Sequence, residues 1–195
     1  MRFALNAGWR FGRAMQMKSG IENVDEPIII SDYDPIWLTL FTEEQRRVQT
    51  ALGEIVTRIE HFGSTAVPGM AGKPIVDLLV GVRDLAMVSS RISSLEALGY
   101  ENFGEIFIPG RLYLRRRGPP HFNVAVTVEG GEFWHAQIVI RDYLRAHPHE
   151  IAAYSECKKS TYAHGSRMFS SYSQAKAPFL VALLERARQW HASKS

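Results

Sequence analysis

Apolar residues recur at helical spacing in the first well-defined segment of the chain. The spacing predicts a helix from Pro35 to Leu52. Asp34 is suited to cap this helix, Pro35 suits its first position, and Gly53 stops it. Before this helix, Ile28 to Ile30 is a short apolar stretch that favours a strand or an extended arm. The apolar face of the helix is formed by Trp37, Leu40, Phe41, Val48 and Leu52.

Two predicted strands follow, separated by a glycine-rich loop. Alternating apolar and polar residues predict a strand over Ile55 to Phe62. Residues 63–72 contain three glycines and a proline, so they cannot continue that strand. Ile75 to Val80 is apolar on both faces except for Asp77, as expected for a central strand of a covered sheet.

The rest of the chain predicts one more helix, a group of strands and a helical C-terminal part. Asp84 is suited to cap a helix that ends at Gly99. The pattern then predicts an antiparallel meander, and after it three helices, with Pro178 acceptable only in a first turn. The order of elements argues for an α/β or α+β fold. The predicted strands are Phe103 to Ile108, Leu112 to Arg116 and Phe122 to Val128, and the late helices are Glu132 to Ala146, His149 to Ala163 and Ser173 to Ala192.

Length and charge limit the possible partners. A chain of 195 residues suits one domain, which we place at residues 27–195 with a helical part from about 132. Residues 1–26 are expected to be a disordered tail, or to lie upstream of the true start. Because four of the 23 basic residues and none of the 20 acidic residues lie in 1–20, the remaining chain is nearly neutral. Duplex nucleic acid is therefore not indicated as a partner.

The lengths of the apolar runs and the number of cysteines indicate where in the cell the protein is expected. No apolar run approaches the roughly 20 residues needed to cross a bilayer, so no membrane partner is expected. The single cysteine, Cys157, excludes an internal disulfide and a cysteine-cluster zinc site. We therefore expect a cytoplasmic protein. The oligomeric state is not determined by the sequence.

The most informative residues lie where the first two strands meet the loop. Gly63 lets the backbone approach an anion, and Ser64 and Thr65 can donate to phosphate oxygens. Asp77 would be costly to ionise inside an apolar strand unless a cation or several donors compensate it. It could hold the Mg²⁺ that accompanies phosphates. The alternatives are an ordinary tight turn at Gly63 and a structural aspartate that accepts bonds from the loop.

Further polar residues extend this candidate site. Lys73 could reach a phosphate or simply end a strand in solvent. His61 and His121 lie at strand edges and could bind a metal or transfer protons, although a lone histidine more often has a plain polar role. In the run Arg115 to Arg117, at most two side chains share a face, so two could hold one anion; the alternative is a solvated strand edge.

The motifs resemble those of the GrpB family. The resemblance rests on Ile59 to Gly69 and Lys73 to Asp77, and it extends to Tyr33-Asp34-Pro35-x-Trp37, Arg141 to Arg145, Tyr154-x-x-x-Lys158 and Tyr172-x-x-x-Lys176. It covers residues 27 to 192. The family is similar in fold to the nucleotidyltransferase superfamily, and a related domain is fused to some dephospho-CoA kinases.

This resemblance implies an α+β, nucleotidyltransferase-like mixed sheet with flanking helices. In that superfamily a Gly-Ser loop binds the nucleotide's phosphates, and carboxylates on the next strand hold two metal ions. Gly63, Ser64 and Asp77 match this pattern. The chain departs from it at Leu79, where a second acid is usual, and at Asn123, where the family commonly has histidine.

Two functions follow as hypotheses. In the first, the protein binds a nucleotide or another phosphorylated small molecule and transfers a nucleotidyl group to a small acceptor. In the second, it is a catalytically degenerate binding or accessory module linked to coenzyme A metabolism or protein folding. For the first, Asp77 and His121 would hold Mg²⁺ or Mn²⁺, with His61 and Asn123 behind them. The expected anion-binding residues are Gly63, Ser64, Thr65, Lys73, Arg115, Arg141, Lys158 and Lys176.

Overall fold

A five-stranded mixed sheet forms the centre of the molecule. The computed structural model describes residues 24–194. The strand order is β1-β2-β5-β4-β3, in which β2 and β5 are parallel and every other pair is antiparallel. The strands are β1 (Val56–Phe62), β2 (Ile75–Val82), β3 (Glu101–Asn102), β4 (Arg111–Arg116) and β5 (His121–Val128). The fold class is therefore α+β, as predicted.

Helices cover both faces of this sheet. The long N-terminal helix and a short second helix pack on one face, and the three C-terminal helices lie on the other. The helices are α1 (Ile36–Leu52), α2 (Ile92–Glu96), α3 (Glu132–Ala146), α4 (Pro148–Ala163) and α5 (Phe169–Ala192). No helix within residues 24–194 is both long and apolar enough to cross a membrane.

Alternation along β2 divides the core between the two faces. Val76, Leu78 and Val80 point toward α1 and α2, where they join Trp37 and other buried residues of the first face. Leu79 points the other way and packs with residues of β5 and α3. The predicted central strand is confirmed, because seven of its eight residues are buried. Asp77 shares the face of Leu79, so it points toward the C-terminal helices.

One predicted strand is wrong. Residues 103–108 form a loop, and only the two residues Glu101 and Asn102 pair regularly with β4. Asn102 Oδ1 accepts the Gly104 N–H at 2.9 Å, and both Gly104 and Phe107 have positive φ. The side-chain hydrogen bond of Asn102 and the positive φ values turn the chain away from β4, so the backbone hydrogen bonds of a strand do not continue.

Two predicted helices need correction. Asp84 caps as expected, since its Oδ1 accepts the Ala86 N–H at 2.9 Å, but Leu85–Arg91 is a 3₁₀ helix followed by the short α2. Serine-rich composition explains the weak α-helix, and Ser90 Oγ donates to the Met87 carbonyl. Pro178 lies well inside α5 rather than in its first turn. The helix tolerates the lost N–H because its buried residues, including Leu183, hold it to α3 and α4.

The N-terminal segment joins the body earlier than predicted. Val24 is 1% exposed, and the Asp25 carboxylate accepts bonds from both the backbone N–H and the hydroxyl of Ser170. Residues 24–26, which were predicted to belong to the tail, therefore pack against the rest of the structure. Isolated bridges join Pro27 to Met168 and Ser31 to Gly72, so the predicted arm is extended without forming a full strand. The rest of the predicted tail lies outside the described residues.

Candidate functional site

The glycine turn after β1 rests directly on Asp77. Phe62, the last residue of β1, pairs with Asp77 of β2, which brings the next residue, Gly63, over the carboxylate. Gly63 has φ +71° and ψ −166°, a conformation that is nearly restricted to glycine. A Cβ at Gly63 would lie 2.5 Å from Asp77 Oδ2. Asp77 therefore faces the glycine turn, and only glycine leaves room for its carboxylate there.

Asn123 holds the other oxygen of this carboxylate. Asn123 is the cross-strand neighbour of Asp77 on β5, and its Nδ2 donates to Asp77 Oδ1 at 2.7 Å. Its own Oδ1 accepts bonds from the Tyr113 hydroxyl and from Arg117 Nη2, both at 3.0 Å. Because a guanidinium can only donate, Arg117 fixes which end of the amide faces Asp77.

Arg117 and Glu26 form an ion pair behind Asn123. Arg117 Nε and Nη2 donate to the two carboxylate oxygens of Glu26 at 2.8 and 2.7 Å. Burial raises the pKa of Glu26, but the hydrogen bonds and charge of Arg117, with the charges of Arg115 and Lys73, outweigh it and leave the pKa below its usual value. Neither Arg117 nor Glu26 was among the predicted site residues. Alternation along the arginine run could have indicated Arg117, but Glu26 lay in the predicted tail.

Three lysines from separate elements surround Asp77, and we call them the lysine cluster. Lys73 precedes β2, Lys158 lies on α4, and Lys176 lies on α5. Each ammonium lies over an aromatic ring, at 4.5 Å for Lys73, 4.0 Å for Lys158 and 5.1 Å for Lys176; the rings are those of Phe169, Tyr154 and Tyr172. The last two are the tyrosines of the Tyr-x-x-x-Lys motifs. The motifs thus bring one stacked lysine per helix to the site.

The charges of this cluster perturb one another. Burial and the charges of Lys176 and Arg117 lower the pKa of Lys73 to about 8, although Asp77 and Glu26 oppose the shift. Burial also lowers the pKa of Lys176 below its usual range. The pKa of Asp77 is raised by burial, against the opposing effects of the Asn123 hydrogen bond and of Lys73 and Lys176. The pKa of Asp77 is thus raised even with two lysines nearby.

Ser64 belongs to the same cluster through Lys158. Lys158 Nζ lies 2.7 Å from Ser64 Oγ and 2.7 Å from the carbonyl oxygen of Ala71. A Cβ at Gly72 would lie 2.7 Å from the Ser64 Cβ, so the end of the loop packs closely on this serine. The structure thus brings together Gly63, Ser64, Lys73, Asp77, Asn123, Lys158 and Lys176.

Thr65 and His61 do not join this cluster. His61 alternates with Phe62 on β1, so it faces α1, where its ring stacks on Phe41 at 4.5 Å between centroids. Thr65 Oγ1 lies 3.0 Å from His61 Nε2, and both residues are buried. Burial, with the charges of Arg145 and Arg141, lowers the pKa of His61 to about 3. The structure therefore brings neither the Thr65 hydroxyl, expected to contact phosphate, nor the His61 ring, expected behind a metal, to the cluster around Asp77.

The two predicted arginines are engaged elsewhere. Arg141 donates to Glu60 at 2.7 Å, to Asp142 at 2.8 Å and to the His61 carbonyl at 3.1 Å, so it ties α3 to β1. Arg115 is the cross-strand neighbour of Asn123 but binds Glu101 and the Val24 carbonyl. Both guanidiniums are neutralised by nearby acceptors rather than directed at Asp77.

The donor set around Asp77 does not fit the predicted divalent metal. His121 pairs with Ile75 rather than with Asp77, and its Nδ1 accepts the Gly118 N–H at 3.3 Å. Asp77 Oδ1 already accepts the Asn123 amide, and the groups around the carboxylate are cationic. Within residues 24–194 there is no group of three or more His, Cys, Asp or Glu arranged to hold a metal ion.

Leu79 occupies the position of a second acid without contributing to the site. It lies two residues after Asp77 on the same face of β2, and its side chain is fully buried against Phe133, Trp134 and Ala125. A carboxylate at this position would be buried in an apolar cluster. The site therefore has one carboxylate on β2 and a surplus of basic groups.

Comparisons with known proteins agree with the motifs. A family model described as GrpB protein matches residues 27–186. The UPF0157 protein YqkA of Bacillus subtilis is 33% identical over 164 residues, which are 84% of this chain but 48% of that protein, so the chain spans about half of its length. The UPF0157 protein SCO7215 of Streptomyces coelicolor is 35% identical over 81% of this chain and 83% of its own.

A solved structure and a multidomain enzyme extend these similarities. The crystal structure of the conserved protein GrpB from Enterococcus faecalis matches with a TM-score of 0.78 and 31% identity, over 84% of this chain and 99% of that one. Dephospho-CoA kinase of Mycobacterium leprae is 26% identical over 80% of this chain and 45% of the enzyme. A related domain thus occurs in dephospho-CoA kinases, as the resemblance implied. On the match over residues 27–186, the chain belongs to the GrpB family.

Proposed function

We propose that this protein binds a phosphorylated small molecule, with a nucleotide as the expected class, between the Gly63-Ser64 turn and the lysine cluster. The proposal rests on the ammonium groups of Lys73 and Lys176, which lack a polar partner in the part of the chain that the structure describes. Within the described residues, neither ammonium makes a hydrogen bond, and neither has a carboxylate oxygen within 4.0 Å. Both side chains are half-buried, and a phosphate would supply oxygens that can accept charge-assisted hydrogen bonds from them.

The balance of charge supports an anionic ligand. Among the described residues, the carboxylates that act on the lysine cluster and on Arg117 are those of Asp77 and Glu26. Arg117 is neutralised by its pair with Glu26, which leaves the ammonium groups of Lys73 and Lys176 with the single carboxylate of Asp77. Like charges in a poorly solvated region repel strongly, and an incoming dianion relieves that repulsion. Ligand binding is therefore favoured electrostatically.

The proposed fold is a nucleotidyltransferase-like one in which the site serves binding rather than metal-dependent transfer. The glycine turn over an aspartate of the next strand supports the likeness to that superfamily. The loss of a second acid at Leu79 and the amide bond from Asn123 weigh against nucleotidyl transfer with Mg²⁺ or Mn²⁺. A binding or accessory role is thus favoured over the transferase hypothesis.

Titration calorimetry tests the proposal. ATP and dephospho-CoA are titrated separately into the full chain with EDTA and again with Mg²⁺; dephospho-CoA is included because the chain matches part of dephospho-CoA kinases. Lys176→Met is compared with Lys159→Met. Lys159 is the matched control, since it adjoins Lys158 on α4 but pairs with Asp32 in solvent.

The expected result is binding in EDTA that Lys176→Met weakens by about tenfold or more, equivalent to about 1.4 kcal/mol. Lys159→Met leaves it unchanged. Absence of binding of either ligand by the folded protein would overturn the proposal. Binding that occurs only with Mg²⁺ would replace it with the metal-dependent transferase hypothesis.

A further inference from the structure

The half-buried hydroxyl of Ser64 and the buried amine of Lys158 form a close pair. Ser64 lies in the turn after β1, and Lys158 reaches it from α4 with Nζ 2.7 Å from Oγ. Lys158 is 1% exposed, which is unusual for a lysine without a carboxylate partner. Its other hydrogen bond is to the Ala71 carbonyl, also at 2.7 Å. The pair is therefore a close contact between a potential nucleophile and a buried potential base.

The surroundings of Lys158 favour its neutral form. Burial contributes most to lowering its pKa, and the charges of Lys176 on α5 and Lys73 before β2 act in the same direction. Asp77 on β2 and Cys157 on α4 oppose them, and the ring of Tyr154 attracts the ammonium form at 4.0 Å. The balance leaves the pKa of Lys158 well below the usual lysine value.

A neutral Lys158 is compatible with both 2.7 Å contacts of its Nζ atom. An uncharged amine has two N–H groups and one lone pair. As an ammonium, Lys158 donates to both Ser64 Oγ and the Ala71 carbonyl; as a neutral amine it would still donate to Ala71, and its lone pair could accept the Ser64 proton across the same 2.7 Å. This is the arrangement of a serine nucleophile with a general base.

We propose that Ser64 is a nucleophile and Lys158 its general base, in acyl transfer from an ester of a phosphorylated small molecule. The choice of substrate rests on the proposed function, because Lys73 and Lys176 would anchor the phosphate beside Ser64. Acyl transfer is favoured over phosphoryl transfer because the latter usually depends on metal ions that the donors around Asp77 do not fit. Lysine serves as the base for serine in unrelated folds.

The Ser64 proton passes to Lys158 Nζ while Oγ forms a bond to the ester carbonyl carbon. The bond from that carbon to the leaving oxygen then breaks, and Lys158 returns the proton to this oxygen. The products are acyl-Ser64 and the phosphorylated alcohol. Water then attacks the acyl group, Lys158 takes its proton and passes it to Oγ, and a carboxylic acid leaves.

Labelling with an alkyl fluorophosphonate tests the pair directly. The Ser64 oxygen displaces fluoride from the phosphorus, and the labelled residue is located by peptide mass spectrometry. Labelling rates are compared for the wild type, Ser64→Ala, Lys158→Met and Lys158→Arg, with Lys159→Met as the control. Arginine keeps the donors of Lys158 but cannot act as a base near neutral pH.

Wild type and Lys159→Met are expected to label at Ser64, and both Lys158 variants to label on the order of 100-fold more slowly. Ser64→Ala removes the label. No labelling of Ser64 in the folded wild type, or equal rates in Lys158→Arg, would overturn the proposal and leave Lys158 as a clamp on the loop.

A pH profile keeps the test decisive if the Lys158 variants do not fold. The wild-type rate is expected to level off above a pKa well below the usual lysine value of about 10.4. A rate that rises in proportion to hydroxide up to pH 10 would contradict the assignment. Because no nucleotide is present, this outcome is independent of the calorimetric test of ligand binding.

Discussion

The backbone of Gly63 and the carboxylate of Asp77 occupy adjoining space that leaves no room for a methyl group between them. A Cβ added at Gly63 would lie 2.5 Å from Asp77 Oδ2, so the position of the carboxylate requires glycine in the turn. The positive φ and extended ψ of Gly63 turn the chain directly after β1, so the loop passes over Asp77 instead of continuing the strand. Turn and carboxylate are thus one structural unit.

Gly63→Ala is expected to destabilise the protein by about 3 kcal/mol or more. About 1–3 kcal/mol comes from the backbone conformation, and the collision with Asp77 adds to it. Urea unfolding at neutral pH measures the change. Gly69→Ala is the control in the same loop, because Gly69 has φ +81° but nothing within 4 Å of an added Cβ. Equal losses in the two variants would show that the contact with Asp77 contributes nothing.

Asp77→Asn is expected to strengthen the binding of a phosphorylated ligand in EDTA by about tenfold, or about 1.4 kcal/mol. The substitution keeps an acceptor for the Asn123 amide but removes the negative charge from a site with three lysines. Calorimetry with ATP measures the change. A loss of affinity that appears only with Mg²⁺ would indicate instead that the carboxylate binds a metal.

Glu26→Gln is expected to destabilise the protein by about 1–2 kcal/mol at pH 7, because Arg117 loses its charged partner in a half-buried position. The pKa of Glu26 is lowered in the folded state, so this stability is present above its usual value of 4.5 and is lost as the pH falls through the folded-state pKa. Urea unfolding between pH 7 and the acid range should show the difference from wild type shrinking.

Asp32→Asn provides the matched comparison for that effect. Asp32 pairs with Lys159 at 2.7 Å, but both side chains are largely exposed. Exposed pairs contribute about 0–1 kcal/mol. If the two variants lose equal stability, then the pair behind Asn123 has no special structural role.

Sequence patterns correctly predicted the features that depend on residues close together in the chain. The burial of β2 around one acid, the capping by Asp84 and the helical spacing of α1 all follow from neighbours in sequence. The strand predicted at 103–108 failed because Asn102 forms a turn with Gly104, a side-chain bond that apolar spacing does not reveal. Pro178 was predicted to fit only in a first turn, but it lies inside α5. The helix continues through it because residues of α5 pack against α3 and α4, which are distant in sequence.

Within the site, sequence motifs identified residues but not their neighbours. Gly63, Asp77 and the two Tyr-x-x-x-Lys lysines were found from motifs, and the structure brings them together. Glu26 was missed because only the folded chain places it beside Arg117. Arg141 was included on the strength of a motif, but its partners on β1 lie about 80 residues away in sequence. Whether a charged residue reaches the site depends on ion pairs between residues far apart in sequence, and local sequence patterns do not reveal these pairs.

Ligand affinity is expected to fall as the pH rises through about 8. Burial and the neighbouring Lys176 and Arg117 lower the pKa of Lys73 to about 8, so its ammonium, which Asp77 and Glu26 partly stabilise, is lost above that pH. A phosphate monoester is already a dianion there, since its second pKa is about 6. ATP affinity measured by calorimetry in EDTA should therefore weaken about tenfold between roughly pH 7 and pH 9.5, the loss of one charge-assisted hydrogen bond.

Lys73→Arg separates this titration from those of Lys158 and Lys176. A guanidinium stays charged throughout the range, so the variant should retain most of its affinity at the higher pH. The ligand, the other two lysines and Asp77 are the same in both proteins, and any difference between the profiles reports the charge at residue 73. A profile for Lys73→Arg that falls as steeply as that of the wild type would place the titrating group elsewhere in the lysine cluster.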